Sequence, residues 1–424
     1  MEFRFRKGRD FDLGPAPANK PAVSRDIRAV GLMAQDFPGV HFDMRVEADE
    51  HVRRGQTLCV DRDNPDIAFV ASLSGRVSKI RHGARRRIET IEITAEGNDD
   101  TRFDIEAALE DDTALRALLL QSGAWVGIRS RPFGRIPTAS ARPSAIFVTA
   151  TDSHPLAPEP AHVLAPQMDS FTRGVAALLR LTEGPVFVCQ AFGPSLVEPG
   201  ERLRVAQFSG PHPSGLAGTH IHHLWPVSSH RSVWQIGYQD VAAIGDLLKT
   251  GQINSQRTIS VAGPGLSAPA LVDAPLGAEL SGLLGGGHTD ADSALVRLIS
   301  GSISSGRATR FLGRYDLQLT VLNKHEHAAQ ARTALGRLFE KLPHKAIGAT
   351  VPSEAFERLF PFDLLPVPLM RALAVGDVES TERLGGLELL EEDLALLSWR
   401  CPSGSDYGKL LRHVLDKLDE ERAT

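Results

Sequence analysis

The sequence predicts a multidomain α/β protein, and three observations predict it. Residues 28–94 alternate apolar and polar side chains between corner glycines, as a small barrel-sandwich of the biotinyl/lipoyl type does. Residues 145–189 read strand, helix, strand, the unit from which helix-covered parallel sheets are built. Residues 328–424 carry apolar side chains at helical spacing. A chain of 424 residues, 42% hydrophobic and 23% charged, is long and apolar enough to bury several cores.

Each element follows in order. Residues 1–27 are rich in proline and charge and read as an extended arm. In the barrel-sandwich, residues 28–103, the alternating positions are Val52, Leu58, Val60, Phe69, Val77 and Ile80, with Gly55 and Gly75 at the corners. A carrier domain of this type presents a modifiable lysine at a hairpin tip. Here the turn is Asp61-Arg62-Asp63-Asn64-Pro65, with no lysine, which points to a docking element and not a swinging arm. Residues 104–256 form a Rossmann-like parallel α/β domain. It opens on a helix from Asp104 to Leu120 (apolar at Leu109, Leu115, Leu118 and Leu119) with Gly123 as its C-cap. A strand at Ala145 to Val148, an amphipathic stretch from Phe171 to Leu181, a strand at Gly184 to Cys189, a Gly/Pro/His loop at 208–224 and a helix from Asp240 to Leu248 complete it. Residues 257–327 hold short β-type runs (Thr258 to Ala262, Ala270 to Val272, Val296 to Ser300) broken by Gly and Pro, which fits a β-grasp domain. Residues 328–424 form a helical domain, with Phe356, Leu359 and Phe360, then Leu387 to Leu397, and a last helix from Leu410 to Leu418.

Charge and composition exclude several functions. A net charge of −5 argues against nucleic acid, which selects a positive surplus. The local basic run Arg81 to Arg87 reads as a solvated hairpin face. The sequence lacks the run of about 20 apolar residues that a membrane helix needs, and the N-terminus MEFRFRKGRDFDLGP lacks a signal peptide's apolar core. A cytoplasmic location is therefore expected. Cys59, Cys189 and Cys401 are far apart, with no C-x-x-C pair, so neither a disulfide framework nor an iron–sulfur cluster is expected.

Motifs for catalysis are missing as well. His212, His220, His222 and His223 could offer imidazoles to a metal, but no Cys or carboxylate stands beside them at ligand spacing. The expectation is a structural loop shaped by Gly210, Gly215 and Gly218, continuing into a strand-like segment with His220 and His222 on one side and His223 on the other. Neither GPHPSGLAG (210–218) nor GLLGGGH (282–288) fits the G-x-G-x-x-G that lets backbone amides approach a phosphate, and Gly285-Gly286-Gly287 reads as a turn. No nucleophile elbow and no H-E-x-x-H occurs. The acidic run Glu388 to Asp393, interleaved with leucines, reads as a solvated helix face. The chain has an enzyme's architecture without catalytic residues of its own.

Long collinear stretches nevertheless carry a resemblance: GQTLCVDRDNPDIAFVASLSGRV (55–77), QSGAWVGIRSRPFGRIP (121–137), AIFVTATDSHPLA (145–157), LTEGPVFVC (181–189), SGPHPSGLAGTHIHHLWPV (209–227), VWQIGYQDVAAIGDLLKTG (233–251), LISGSISSG (298–306), FLGRYDLQLTVL (311–322) and CPSGSDYG (401–408). With these the chain resembles the A-subunit family (NqrA) of the Na(+)-translocating NADH:quinone oxidoreductases over nearly its whole length. The resemblance implies that residues 257–327 are an SLBB-like β-grasp domain and that the Rossmann-like domain is similar to the flavin subunit of respiratory complex I. Those relatives place a glycine-rich FMN loop where this chain has IRSRPFGRIP, with Arg129, Arg131, Pro132 and Phe133 in place of glycines.

The resemblance further implies a non-catalytic, peripheral subunit on the cytoplasmic face of the bacterial inner membrane. The enzyme is the complex, an NADH:ubiquinone reductase that exports Na+. NADH, FAD, FMN and the [2Fe–2S] cluster belong to partner subunits, and this chain holds no tightly bound cofactor. It docks on the membrane and flavin-bearing subunits and contributes to ubiquinone binding. The family's quinone-associated segments fall on Met33 to Val40 and Phe133 to Pro137, so the quinone-side or interface candidates are Met33, Phe37, Val40, Arg129, Arg131, Phe133, Arg135 and Pro137. The family's sequence is shortened here between about 323 and 358, where Val351-Pro352 and Glu357-Arg358 remain. That departure keeps open a second assignment, a paralogous docking or quinone-side subunit of a different membrane redox complex, Rnf-like or another electron-supply complex, that moves no sodium.

Overall fold

The computed structural model describes residues 1–285, 296–323 and 352–423. Gly286 and Gly287 and most of the shortened segment, including Val351, lie outside the described residues. Four sheets organise the described residues.

Two of them form the barrel-sandwich. One has strands in the order Ala29–Met33, Ile88–Ala95, Gly75–His82 and His51–Val52; the other has Phe42–Met44, Thr57–Asp61 and Ala68–Val70. Every second residue faces inward, so Val52, Leu58, Val60, Phe69 and Val77 are buried between the two. Ile80, farther out on its strand, is only partly covered. At the tip where a carrier domain has its lysine, Asp61 organises the turn. Its Oδ2 accepts from the Asn64 amide at 3.0 Å, and its Oδ1 accepts from the backbone N–H groups of His41 and Asp63, each at 3.3 Å.

The α/β domain is built on a six-stranded sheet in the order Glu2–Arg4, Leu203–Ser209, Val186–Ala191, Ile146–Ala150, Val233–Gly237 and Arg129–Arg131, parallel except for the last strand. The run of β-branched and aromatic residues around Val148 is buried on both faces, as a helix-covered parallel strand should be. Leading into the domain are two helices, Glu106–Glu110 and Asp112–Gln121, where the periodicity predicts one. The break comes from Asp111, whose extended backbone and carboxylate (accepting from the Ala114 N–H at 2.6 Å) cap a new helix. Gly123, with φ 72°, follows the second helix in left-handed conformation. The amphipathic stretch forms the helix Met168–Arg180, which packs on Tyr238–Thr250.

The β-grasp sheet has the order Val296–Ser300, Gln318–Asn323, Gln256–Ala262, Ala270–Pro275 and Val23–Ser24. The N-terminal arm thus lends one strand to the α/β sheet and another to the β-grasp sheet. These three units share one continuous hydrophobic core. The C-terminal helices, among them Glu354–Leu359, Pro366–Val375, Ala395–Arg400 and Tyr407–Ala423, bury a core of their own around Phe356, Phe360, Leu394, Tyr407 and Leu411.

Candidate functional site

The parallel strands Ile146–Ala150 and Val233–Gly237 are neighbours at a reversal of strand order: the chain runs from Ile146–Ala150 outward through Val186–Ala191 to Leu203–Ser209 and then returns to place Val233–Gly237 on the opposite side of Ile146–Ala150. The crevice outside the carboxyl ends of such a pair is where open α/β sheets hold ligands. Here it opens on Asp152, Ser153 and His154. His154 Nδ1 lies 2.8 Å from Asp152 Oδ1, and its ring stands 4.7 Å from that of His212. Burial opposes charge on His154, yet the Asp152 carboxylate, helped by Glu392 and Asp316, raises its pKa. Burial and the neighbouring His154 push His212 well below the usual range.

The chain fills this crevice with its own C-terminal domain. Arg131, fully buried, donates to Gln235 Oε1 at 2.8 Å, to the Glu388 carbonyl at 2.7 Å and to Asp393 Oδ2 at 2.6 Å. Arg129 reaches Glu392 Oε1 at 3.3 Å and lies over the Tyr315 ring at 4.6 Å. Burial penalises the Glu392 carboxylate, but Arg129 and Arg131 together hold its pKa down. The acidic run is therefore not a solvated helix face: Glu392 and Asp393 lie in a short 3-10 turn, Glu391–Leu394, and serve as a clamp. The local sequence shows leucines at helical spacing, whereas the arginines that recruit these carboxylates lie more than 250 residues away.

The Gly/His segment serves the same contact. Residues Ala217–Leu224 form a helix, not the expected strand-like piece. Extended backbone at Leu216 ends the loop, and the Leu216 carbonyl then accepts from the His220 N–H at 3.2 Å, which starts the helical turn. A Cβ on Gly218 would stand 2.2 Å from Asp393 Oδ1, and one on Gly215 would stand 2.4 Å from the Ser153 nitrogen, so both contacts require glycine. His220, buried, places Nε2 3.0 Å from the Ser214 carbonyl, and burial lowers its pKa to about 3. His222 Nε2 accepts from the Asp363 N–H at 2.8 Å, which leaves Nδ1 to donate to Glu388 Oε2, also at 2.8 Å. Among the described residues, no group of three or more His, Cys, Asp or Glu is arranged to hold a metal.

A second feature lies where the barrel-sandwich, α/β and β-grasp units meet. A cavity of about 90 Å³ is walled by Leu32, Met33, Phe37 and Phe69 from the first, Ala124, Val126, Ala243 and Leu247 from the second, and Leu312 from the third. Its polar groups are few and nearly all committed. Asp240 accepts from Arg257 at 2.6 Å and from Arg314 at 2.9 Å; burial would raise its pKa, but Arg314 and Arg257 bring it to about 2. Asp36 is raised to about 6 by burial, against the pull of Arg307. The exception is Ser255, which lines the cavity at 1% exposure with a hydroxyl that has no hydrogen-bond partner.

The structure divides the sequence-predicted candidates. Met33 and Phe37 line the cavity, and Val40 packs beside them on the shared core. Arg129 is tied to this wall through Tyr315, whose ring stands 6.2 Å from Phe37. Of the second loop, Phe133 and Arg135 turn to the C-terminal domain, while Pro137 stays on the α/β domain. Phe133 packs on that domain's core, Arg135 forms ion pairs with Asp416 and Asp419, and Arg412 donates to the Phe133 carbonyl at 2.7 Å. The Pro137 carbonyl accepts from the Trp125 indole at 2.8 Å. Asp240, Ser255, Arg257 and Arg314 were not legible as site residues. They come from two different units, and no motif joins them.

Comparison with known proteins accounts for this architecture. Residues 3–96 match the NqrA N-terminal barrel-sandwich hybrid domain, 110–253 the NqrA second alpha/beta domain and 258–310 the NQRA C-terminal domain. The A subunit of the Na(+)-translocating NADH-quinone reductase of Yersinia pseudotuberculosis is 37% identical over 447 residues, covering 99% of each chain, and that of Neisseria meningitidis has the same identity and coverage. Among solved structures, an NAD+-reducing [NiFe]-hydrogenase aligns with a TM-score of 0.40 at 14% identity, over 76% of this chain and 63% of its own, a likeness too slight to bear on fold or function. With full-length identity at that level, the chain belongs to the NqrA family, the A subunits of the Na(+)-translocating NADH-quinone reductases.

Proposed function

We propose that this chain is the peripheral A subunit of a membrane complex that couples NADH oxidation by quinone to Na+ export, and that its three-unit cavity takes the headgroup of ubiquinone. In this reading the chain docks at the cytoplasmic face on the membrane and flavin-bearing subunits, which carry the NADH, flavin and iron–sulfur chemistry. The names of its relatives support the first part. Among the described residues, no helix is long and apolar enough to cross a membrane, which agrees with a peripheral place.

The observation that carries the quinone reading is the unpaired Ser255 hydroxyl in a mostly apolar cavity whose other polar groups are paired. A quinone headgroup is a flat apolar ring with two carbonyl acceptors, so its site needs apolar walls and one or two fixed donors. Ser255 supplies a free donor, and Arg257 and Arg314, held in place by Asp240, supply further N–H groups at the polar end. Met33 adds an unbranched, polarisable side chain that can yield to the ring.

Two experiments test the reading. A short-tailed ubiquinone analogue titrated into the purified chain should quench tryptophan fluorescence saturably, since Trp125 lies in sequence between the lining residues Ala124 and Val126 and Trp234 stands 5.2 Å from it. Ser255→Ala should weaken binding about 2- to 12-fold, the worth of one net hydrogen bond of about 0.5–1.5 kcal/mol, and Ala243→Leu should abolish it by filling the space. Quenching that does not saturate, or that ignores both substitutions, removes the quinone assignment. Affinity purification of the tagged chain from gently solubilised membranes tests docking: recovery of the flavin and membrane subunits is expected, and recovery of an unrelated redox set sinks it.

A further inference from the structure

The hairpin formed by Gly75–His82 and Ile88–Ala95 changes character along its length. At its root Val77, Ile91 and Ile93 are buried in the barrel-sandwich. Past Ser78 the side chains of Lys79, Arg81, His82, Arg85, Arg86 and Arg87 are all exposed. Glu89 is the one exposed acid within this tip. Arg81 is occupied by Glu92, which Arg310 also contacts at 2.7 Å. Arg85, Arg86 and Arg87 form no salt bridge among the described residues. Concentrated positive charge on one projecting turn is unusual in a chain whose net charge is −5.

We infer that this arginine tip is a membrane contact that binds the phosphate groups of an anionic lipid surface. The tip has charge but no apolar centre. Its aliphatic residues Ile80 and Ile88 lean back on the body, and Ala84 is the only exposed apolar side chain between them. A stable protein interface is built around a desolvated apolar core, which this surface lacks. An anionic headgroup layer asks only for clustered cations within a Debye length. The same surface repels the acidic remainder of the chain, so the tip also fixes which side faces the bilayer. The inference needs only that the chain works at a membrane and does not depend on the quinone cavity.

The test uses the full chain with unilamellar vesicles, either pure phosphatidylcholine or equal parts phosphatidylcholine and phosphatidylglycerol, read by co-sedimentation. Binding is expected to the mixed vesicles alone and should weaken as salt rises. Each arginine changed to glutamine should lower the partition coefficient about fivefold, and R85Q/R86Q/R87Q on the order of a hundredfold. Arg383→Gln, an exposed arginine of the helical domain, should leave it unchanged. Absence of binding by the wild-type chain, or an undiminished triple variant, overturns the inference. So does an equal loss from Arg383→Gln, which would reduce the effect to net charge. If the triple variant instead loses its partner subunits while vesicle binding is unaltered, the tip serves an acidic protein face and the lipid assignment fails.

Discussion

At the residue scale the decisive group is Arg131, whose guanidinium bridges two domains without access to water. Removing one partner of a buried pair leaves an uncompensated charge, which costs about 3–5 kcal/mol. Arg131→Met should therefore lower stability to urea by that order, while the volume-matched double variant Arg131→Met/Asp393→Leu should recover most of it; a cycle with no recovery would show that the two are not coupled. Arg135, about a third exposed, pairs with Asp416 and Asp419 nearer solvent. Its replacement by alanine should cost less than about 1 kcal/mol. The histidines give a pH dependence of both signs. His154 has a raised pKa, so its contribution is full below the unfolded value of about 6.5 and fades as pH rises through the folded one. His220, lowered to about 3, works the other way: the unfolded chain takes up the proton first, and stability is lost as pH falls from about 6.5 toward 3. His212 acts in the same direction as His220. The thermal midpoint should peak near pH 6.5, and His154→Asn should flatten only the alkaline side.

At the element scale the N-terminal strand Glu2–Arg4 closes one edge of the six-stranded sheet, with Phe3 stacked at 4.9 Å on Phe208. An uncovered edge presents unpaired N–H and C=O groups and invites pairing with another chain. A chain lacking residues 1–5 should therefore show concentration-dependent association in sedimentation velocity that the full chain lacks. The arm illustrates how far local pattern reaches. Its proline and charge predict an extended segment, but the two sheets it joins are chosen by hydrogen-bonding partners more than 200 residues distant. The βαβ unit was more legible, because strands buried on both faces and an amphipathic helix write their environment into consecutive residues.

At the scale of the whole molecule, a large core runs through three units and a separate core fills the helical domain, the two joined by the Arg129–Arg131 clamp and the Phe133 loop. Weakening the clamp should loosen the second core before the first. In Arg131→Met, amide exchange should accelerate in Tyr407–Ala423 and stay slow in Val186–Ala191. Uniform acceleration would mean that the two cores unfold as one.

The sequence by itself determined the order and type of the units, the absence of a carrier lysine at the Asp61 turn and membership of the family, because periodicity, turn chemistry and long collinear matches are local properties. It also placed Met33 and Phe37 among the candidate residues. Only the tertiary structure decided that Glu392 and Asp393 are a buried clamp, that His220 and His222 lie on a helix facing it, and that Ser255, Asp240 and Arg314 meet at one cavity. The physical reason is the same in each case. The partner that gives a charge or hydroxyl its role arrives from another unit of the chain, and a residue's own neighbours in sequence carry no trace of it.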